Sequence, residues 1–325
     1  MKTLAYSCPF VPCELIAACG LRPARIVPDS SSADAAAPGA GTCRYAAAFI
    51  GAACGDSSAG AVAVTTVCDQ MRRASEIIAM SCGKPVFLMN VPRTWQTAEA
   101  CGLYADELKR LGRFLENIGG DAPSEARLAE VMLDFDTRRR ELIERRESVT
   151  ARKFAEAVLA FPQHDLSALD AGRRDADPKA VPLALVGGEL LRDDLEIFDC
   201  VENAGGRIVL NATDCGERGL PRAFDRRRVR REPLAELADA YFGAIPHACR
   251  RPNSELYAYL GKAVAERGVR GIIFRRYAWC DTWNAESQRM REWASVPVLD
   301  LDMACEEGVG PRTAERVKSF MEMLS

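Results

Sequence analysis

The chain has 325 residues and a formal net charge of −3, which excludes a global attraction to nucleic acid or to an anionic membrane surface. That length suffices for two domains with separate cores, since single cores stop growing near ~250–300 residues. No run approaches the ~20 uninterrupted apolar residues of a membrane span, and the opening MKTLAYSCPF carries no apolar stretch of signal-peptide length, so a cytoplasmic location is expected.

Thirteen cysteines are present, an odd number that disulfide pairing cannot exhaust. No two are spaced Cys-x-x-Cys, which argues against a zinc ribbon, a ferredoxin-type loop and a thioredoxin-like redox pair. With only two histidines, His164 and His247, a histidine-rich zinc centre is poorly supplied. Any metal site must be assembled from cysteines distant in sequence.

In chain order, residues 3–7 read as a short buried strand, and CPFVPCELIAACG follows as a helix, with Pro12 suited to a first turn and Gly20 to a helix end. Residues 25–27 read as the next strand, giving a β-α-β unit and hence a parallel sheet with a right-handed crossover. A small-residue loop, SSSADAAAPGAGTC, leads into the helix YAAAFIGAA. The run AVAVTTV reads as a strand, DQMRRASEIIAM as a helix, and residues 84–89 as a further strand. From about residue 97 to 161 apolar residues recur at three- and four-residue steps amid dense charge, the pattern of a helical connector. The arginine run Arg226–Arg231 reads as a solvated loop or partner-facing patch.

Past the breaker-rich DAGRRDADPKAVP, strands are expected at residues 183–186, in GGRIVLNATD, in GIIF and at residues 296–299. The expected architecture is α/β: two Rossmann-like, doubly wound parallel-sheet domains, at 1–96 and 179–325, joined by a helical connector at 97–178. Gly187-Gly188 reads as a tight turn, because the GxGxxG fingerprint is absent; no Walker GxxxxGK[ST] occurs either, so no nucleotide site is found.

Three thiols stand where a strand or loop passes into a helix: Cys43 in GTCRY, Cys68 in TTVCDQ and Cys280 in AWCDTW. The unpaired amides of a first helical turn favour an anion, so a thiolate is stabilised there. In open parallel sheets, sites form outside the carboxyl ends of the strands, so facing lobes would bring the three together. Three thiolates hold an iron–sulfur cluster by three irons and leave the fourth open, whereas each thiol alone is also explicable as a small core residue. Cys13, Cys19, Cys82 and Cys101 fall in or near expected helices and are assigned to packing. Tyr277 and Trp279 flank Cys280, where they could shield a cluster or simply belong to the core; Asp69 and Glu286 are candidate proton carriers.

The segments YSCPFVPCELIAACGLRPARIVP, PGAGTCRYAAAFI, TTVCDQMRR, AGGRIVLNATDCGERGLP, IIFRRYAWCDTW and RTAERVKSFMEML resemble the 2-hydroxyacyl-CoA dehydratase D-component family, which also holds the benzoyl-CoA reductase subunits. The resemblance runs over nearly the whole chain and is weakest through the helical middle. It implies a 4Fe-4S cluster on Cys43, Cys68 and Cys280 between two lobes, with an acyl-CoA thioester as substrate. It implies a separate ATP-hydrolysing activator protein that delivers one low-potential electron, ketyl-radical chemistry, and a second dehydratase subunit or a homodimer. A related branch carries a double-cubane 8Fe cluster and reduces small molecules. For that alternative Cys8, Cys215 and Cys305 are the candidate extra ligands, each also explicable by packing or by a turn. A non-catalytic electron-relay or scaffold subunit is the remaining alternative.

Overall fold

The structure, a computed structural model, describes residues 2–35, 42–170, 179–303 and 308–324. The first sheet has the order β2-β1-β3-β4, from β1 (Thr3–Tyr6), β2 (Arg22–Arg25), β3 (Ala59–Thr65) and β4 (Val86–Met89), and every pairing is parallel. The second repeats the plan as β6-β5-β7-β8, from β5 (Val181–Gly187), β6 (Gly206–Ala212), β7 (Gly271–Tyr277) and β8 (Val298–Met303), again all parallel. Crossover helices join the strands as parallel pairing demands. In the first sheet these are α1 (Cys13–Ala18), α2 (Arg44–Gly55) and α3 (Asp69–Ser81).

The middle of the chain is helical, in α4 (Ala98–Asn117), α5 (Glu125–Glu144) and α6 (Ala151–Ala160). Each opens on a hydroxyl cap: Thr97, Ser124 and Thr150 accept the backbone N–H of the residue three further on. Around the second sheet lie α7 (Glu196–Asn203), α8 (Arg226–Arg231), α9 (Pro233–Ala238), α10 (Ser254–Glu266), α11 (Asp281–Asn284), α12 (Ser287–Trp293) and α13 (Pro311–Leu324).

Strand periodicity divides the interior into layers, because successive side chains point to opposite faces. Ala61 and Ala63 of β3 pack with Tyr104, Leu108 and Phe135 of the central helices. Val62 and Val64, on the other face, share one cluster with Leu183 and Leu185 of β5 and Ile273 of β7. The outward face of the second sheet, Ala184, Val186, Ile272 and Phe274, packs with Leu256 and Leu260 of α10. Both faces of each sheet are covered, which is why these strands read as near-continuous apolar runs.

The strand expected at 296–299 lies at Val298–Met303, and two further segments differ more from the sequence expectation. The second strand lies at Arg22–Arg25 rather than 25–27, with Leu4 of β1 opposite Pro23. Proline cannot donate to a ladder, and it is tolerated here because β2 is an edge strand. The arginine run forms the short helix α8 rather than a loop: Asp225 caps it by accepting the N–H groups of Arg227 and Arg228, and Arg228 pairs with Glu236 and Asp239. No helix among the described residues is long and apolar enough to cross a membrane.

Candidate functional site

In each sheet the chain leaves its two inner strands, β1 and β3 or β5 and β7, toward opposite faces, and the crevice beyond their carboxyl ends is where ligands bind in doubly wound sheets. Both sheets contribute such loops to one cavity of about 70 Å³. Ser7, Cys8 and Pro9 enter it from the end of β1, Val67 and Cys68 from β3, Gly188 and Glu189 from β5, and Tyr277 and Cys280 from β7. Cys43 and Tyr45, Asp214, His247, Arg275 and Trp283 also form part of the wall.

The three thiols singled out from sequence all line this cavity, and each stands at the cap position of a different helix. Cys43 opens α2, its sulfur accepting the Ala46 N–H at 3.5 Å. Cys68 opens α3, its sulfur accepting the Met71 N–H at 3.4 Å. Cys280 opens α11 without a side-chain cap bond. The Cys43 N–H donates to Gln70 Oε1 at 2.7 Å, which ties the loop before α2 to the first turn of α3.

Burial pushes the Cys68 thiol up to about 12, with the charges of Cys43 and Cys280 adding to the rise. Cys280 is likewise pushed up to about 12 by burial, with Cys43 contributing, and Cys43 itself is raised by burial. The three sulfurs therefore feel one another's charge. Without a bound cation they hold their protons, and a cationic centre would displace them. Among the described residues no three His, Cys, Asp or Glu side chains converge closely enough to hold a single metal ion.

The supplementary cysteines part company. Cys8 lines the cavity, buried and with its pKa raised well above the ordinary value, chiefly by burial. Cys215 sits behind the wall, its sulfur accepting the Leu190 N–H at 3.4 Å and donating to Glu189 Oε2 at 3.5 Å. Cys305 lies outside the described residues. Cys13 and Cys19 are buried in and after α1, Cys82 donates to the Ile78 carbonyl at 3.1 Å, and Cys101 contacts the Trp95 carbonyl oxygen at 3.8 Å.

Charged groups absent from the sequence reading surround the thiols. Glu189 meets Arg25 of β2 at 3.0 Å, and Arg25 also donates to the Asp214 carbonyl at 2.8 Å, so one guanidinium joins the two sheets. Burial raises the Glu189 carboxyl above the ordinary carboxylate range and Asp214 adds to the rise, while Arg25 opposes it. Asp214 pairs with Arg218, and its Oδ2 lies 3.3 Å from His247 Nε2. His247 Nδ1 accepts the Cys249 N–H at 3.0 Å, which leaves Nε2 to direct its proton at Asp214, and Cys249 and Asp214 raise the ring's pKa to about 9 against the effect of burial. Asp194 bonds both Arg275 and the Tyr277 hydroxyl.

Three sequence expectations fall elsewhere. Trp279 is 71 % exposed and shields nothing, whereas Tyr277, the other aromatic flanking Cys280, lines the cavity together with Tyr45 and with Trp283, one helical turn further on. Asp69 is exposed and pairs loosely with Arg72 and Arg93. Glu286 is buried away from the cavity, accepting the Tyr257 hydroxyl at 2.7 Å. Gly187, expected with Gly188 in a tight turn, is instead the last residue of β5, and Gly188 and Glu189 carry the chain from there along the cavity wall.

Two parallel sheets of identical strand order, with a thiol-rimmed cavity beyond their carboxyl ends, define a Rossmann-like α/β protein with a sulfur-rich pocket. The family model of the 2-hydroxyglutaryl-CoA dehydratase D-component matches residues 8–324, and the chain belongs to that family. A comparison with curated proteins gave no match.

Proposed function

We propose that this chain is an iron–sulfur dehydratase-type subunit that holds a 4Fe-4S cluster through Cys43, Cys68 and Cys280 and acts on an acyl-CoA thioester. The observation that carries the reading is the convergence of these three cysteines, from three separate helix starts, on one cavity. A cubane takes each thiolate on a different iron, so its ligands need not meet at a point. When bound, a cluster with three thiolate ligands supplies one-electron and Lewis-acid chemistry.

The chain's own groups have distinct parts. The amides of Ala46 and Met71 orient the sulfurs of Cys43 and Cys68. Tyr45, Tyr277 and Trp283 exclude water from the cavity. Glu189, whose carboxyl burial raises above the ordinary carboxylate range against the pull of Arg25, lines the cavity as the group to pass a proton into it, while Arg25 fixes its position by donating to both of its oxygens. The family has a separate activator component, and no Walker motif occurs here. The activator therefore hydrolyses ATP and delivers the electron, and the pure chain hydrolyses none.

A relay or scaffold role is the second reading, favoured by Cys8, a fourth thiol on the same cavity whose coordination would close the cluster. Anaerobic purification with iron and sulfide counting and electron paramagnetic resonance separates no cluster, one cubane and a double cubane. Iron-free protein after anaerobic reconstitution overturns the proposal. A Cys8→Ser variant that keeps its iron and spectrum supports the open, catalytic site, and one that loses iron favours the relay.

A further inference from the structure

Two half-buried thiols outside the cysteine cavity stand side by side. Cys54 lies in the last turn of α2, and Cys82 caps the end of α3. The two helices pack together, and both thiols sit at the edge of the apolar cluster that lies between them. The Cys54 thiol hydrogen-bonds to the Cys82 sulfur, and Cys82 in turn donates to the Ile78 carbonyl at 3.1 Å.

The chain around the pair builds this juxtaposition. Gly83 takes a left-handed φ of 62°, which ends α3 and turns the chain back. Lys84 then donates from Nζ to the carbonyls of Ala53, at 2.7 Å, and Asp56, which bracket Cys54. A cation on the last carbonyls of a helix is favourably placed, and here it holds the turn after α3 against the end of α2. Solvent reaches the pair, since Gly55, Ser81 and Gly83 are exposed. Cys101 and Cys200, likewise half-buried, have no second thiol acting on them.

We infer that Cys54 and Cys82 are a redox-active dithiol, which a small-molecule disulfide oxidises to a bridge between the ends of α2 and α3. The Cys82 thiolate attacks one sulfur of the small disulfide and expels the other as a thiolate, leaving a mixed disulfide on Cys82. The Cys54 thiolate then attacks the Cys82 sulfur and expels the second small thiolate. The protons given up by the two protein thiols pass to the two expelled thiolates. Two protein thiols are thereby oxidised, and one small disulfide is reduced to two thiols. The order follows from the surroundings of Cys54. Burial pushes its thiol up to about 12, with Cys82 adding to the rise and Lys84 opposing it. Capping Cys82 removes its charge, and with it that part of the barrier to forming the Cys54 thiolate. Neither thiol lines the cysteine cavity, so the inference does not rest on the cluster reading.

The test is to treat the full chain, prepared without oxygen, with oxidised glutathione, and to map its cysteines by mass spectrometry of a non-reduced digest. The expected result is a Cys54–Cys82 cross-linked peptide, with both free thiols lost and both recovered on reduction. Cys101 and Cys200 stay free or carry glutathione singly. In Cys54→Ser the bridge is absent and Cys82 stops at the mixed disulfide, because the second attack is intramolecular and has lost its nucleophile. The inference is overturned if wild-type Cys54 and Cys82 stay free, if each is capped singly without a bridge, or if either links to a different cysteine. Mapping the wild type needs no variant to fold. Iron content plays no part in the readout, so failure here leaves the cluster reading untouched.

Discussion

Arg25 Nη2 lies 3.0 Å from Glu189 Oε2, and the two side chains, 5 % and 14 % exposed, come from different sheets. The pair ties β2 to the segment after β5, and Glu189 lines the cysteine cavity. Removing one partner of a buried pair strands the other charge, at a cost of about 3–5 kcal/mol, whereas removing both is far milder. Arg25→Met should therefore lower the urea midpoint severely, and Arg25→Met with Glu189→Gln should recover much of the loss. A double variant no more stable than the single one would show that Arg25 stabilises through its carbonyl contacts with Ser7 and Asp214 instead.

The cysteine assignment makes a sharper contrast. Cys43→Ala, Cys68→Ala and Cys280→Ala should each remove most of the bound iron from protein prepared without oxygen. Cys101→Ala should leave it nearly intact, because Cys101 lies on α4, in contact with the Trp95 carbonyl and away from the cavity. Equal iron in all four variants would return the three helix-capping thiols to the ordinary role of small buried residues.

The strands, and the placing of Cys68 and Cys280 at their ends, were legible for one physical reason: an apolar run followed by Cys and a helix-forming segment is a local signal, and both sheets place such junctions at the same end of their strands. Cys43 follows a small-residue loop instead and was legible only from its place before a helix. Arg25, Glu189 and Asp214 gave no comparable signal, because a charged residue at a strand end looks the same in sequence whether it meets solvent or a partner from another sheet. Trp279 misled for a geometric reason. It lies in the turn before α11, so it points outward, while Trp283, within that helix, is carried inward to face the His247 ring at 6.0 Å. The edge strand was misplaced because Pro23 lowers strand propensity without forbidding an edge position.

Glycine positions test the packing at the cavity independently of any cofactor. A Cβ on Gly187 would fall on the Arg275 carbonyl oxygen of the neighbouring strand, and backbone in the middle of a sheet has no room to yield. Gly187→Ala should cost at least the ~1–3 kcal/mol typical of overpacking. Gly102 is exposed within α4, and a Cβ there meets nothing within 4 Å. Gly102→Ala should stabilise by about 0.5–1 kcal/mol through helix propensity. Denaturation midpoints moving the same way in both variants would contradict this account of the β5–β7 approach.

The acid limb of the stability curve should report on Asp214. Burial opposes its ionisation, but Arg218 and then His247 draw its pKa well below the ordinary carboxylate value, with Arg25 adding to the pull. A depressed folded-state pKa means that the unfolded chain takes up the proton first as pH falls. The stability Asp214 contributes is therefore complete above its unfolded pKa, near ~3.9, and is lost as pH drops from there toward the folded value. At the limit the loss approaches about 1.4 kcal/mol per pH unit for one group. Asp214→Asn cannot release this term, since an amide does not titrate. Urea midpoints of the two proteins, followed downward from neutral pH, should run parallel until about pH 4 to 5. Below that the wild type should fall more steeply and the gap between them should narrow. Curves that stay parallel to the lowest pH at which both proteins remain folded would mean that the Arg218 pair does not hold Asp214 ionised, and that the hydrogen bond between Asp214 and His247 carries a shared proton instead.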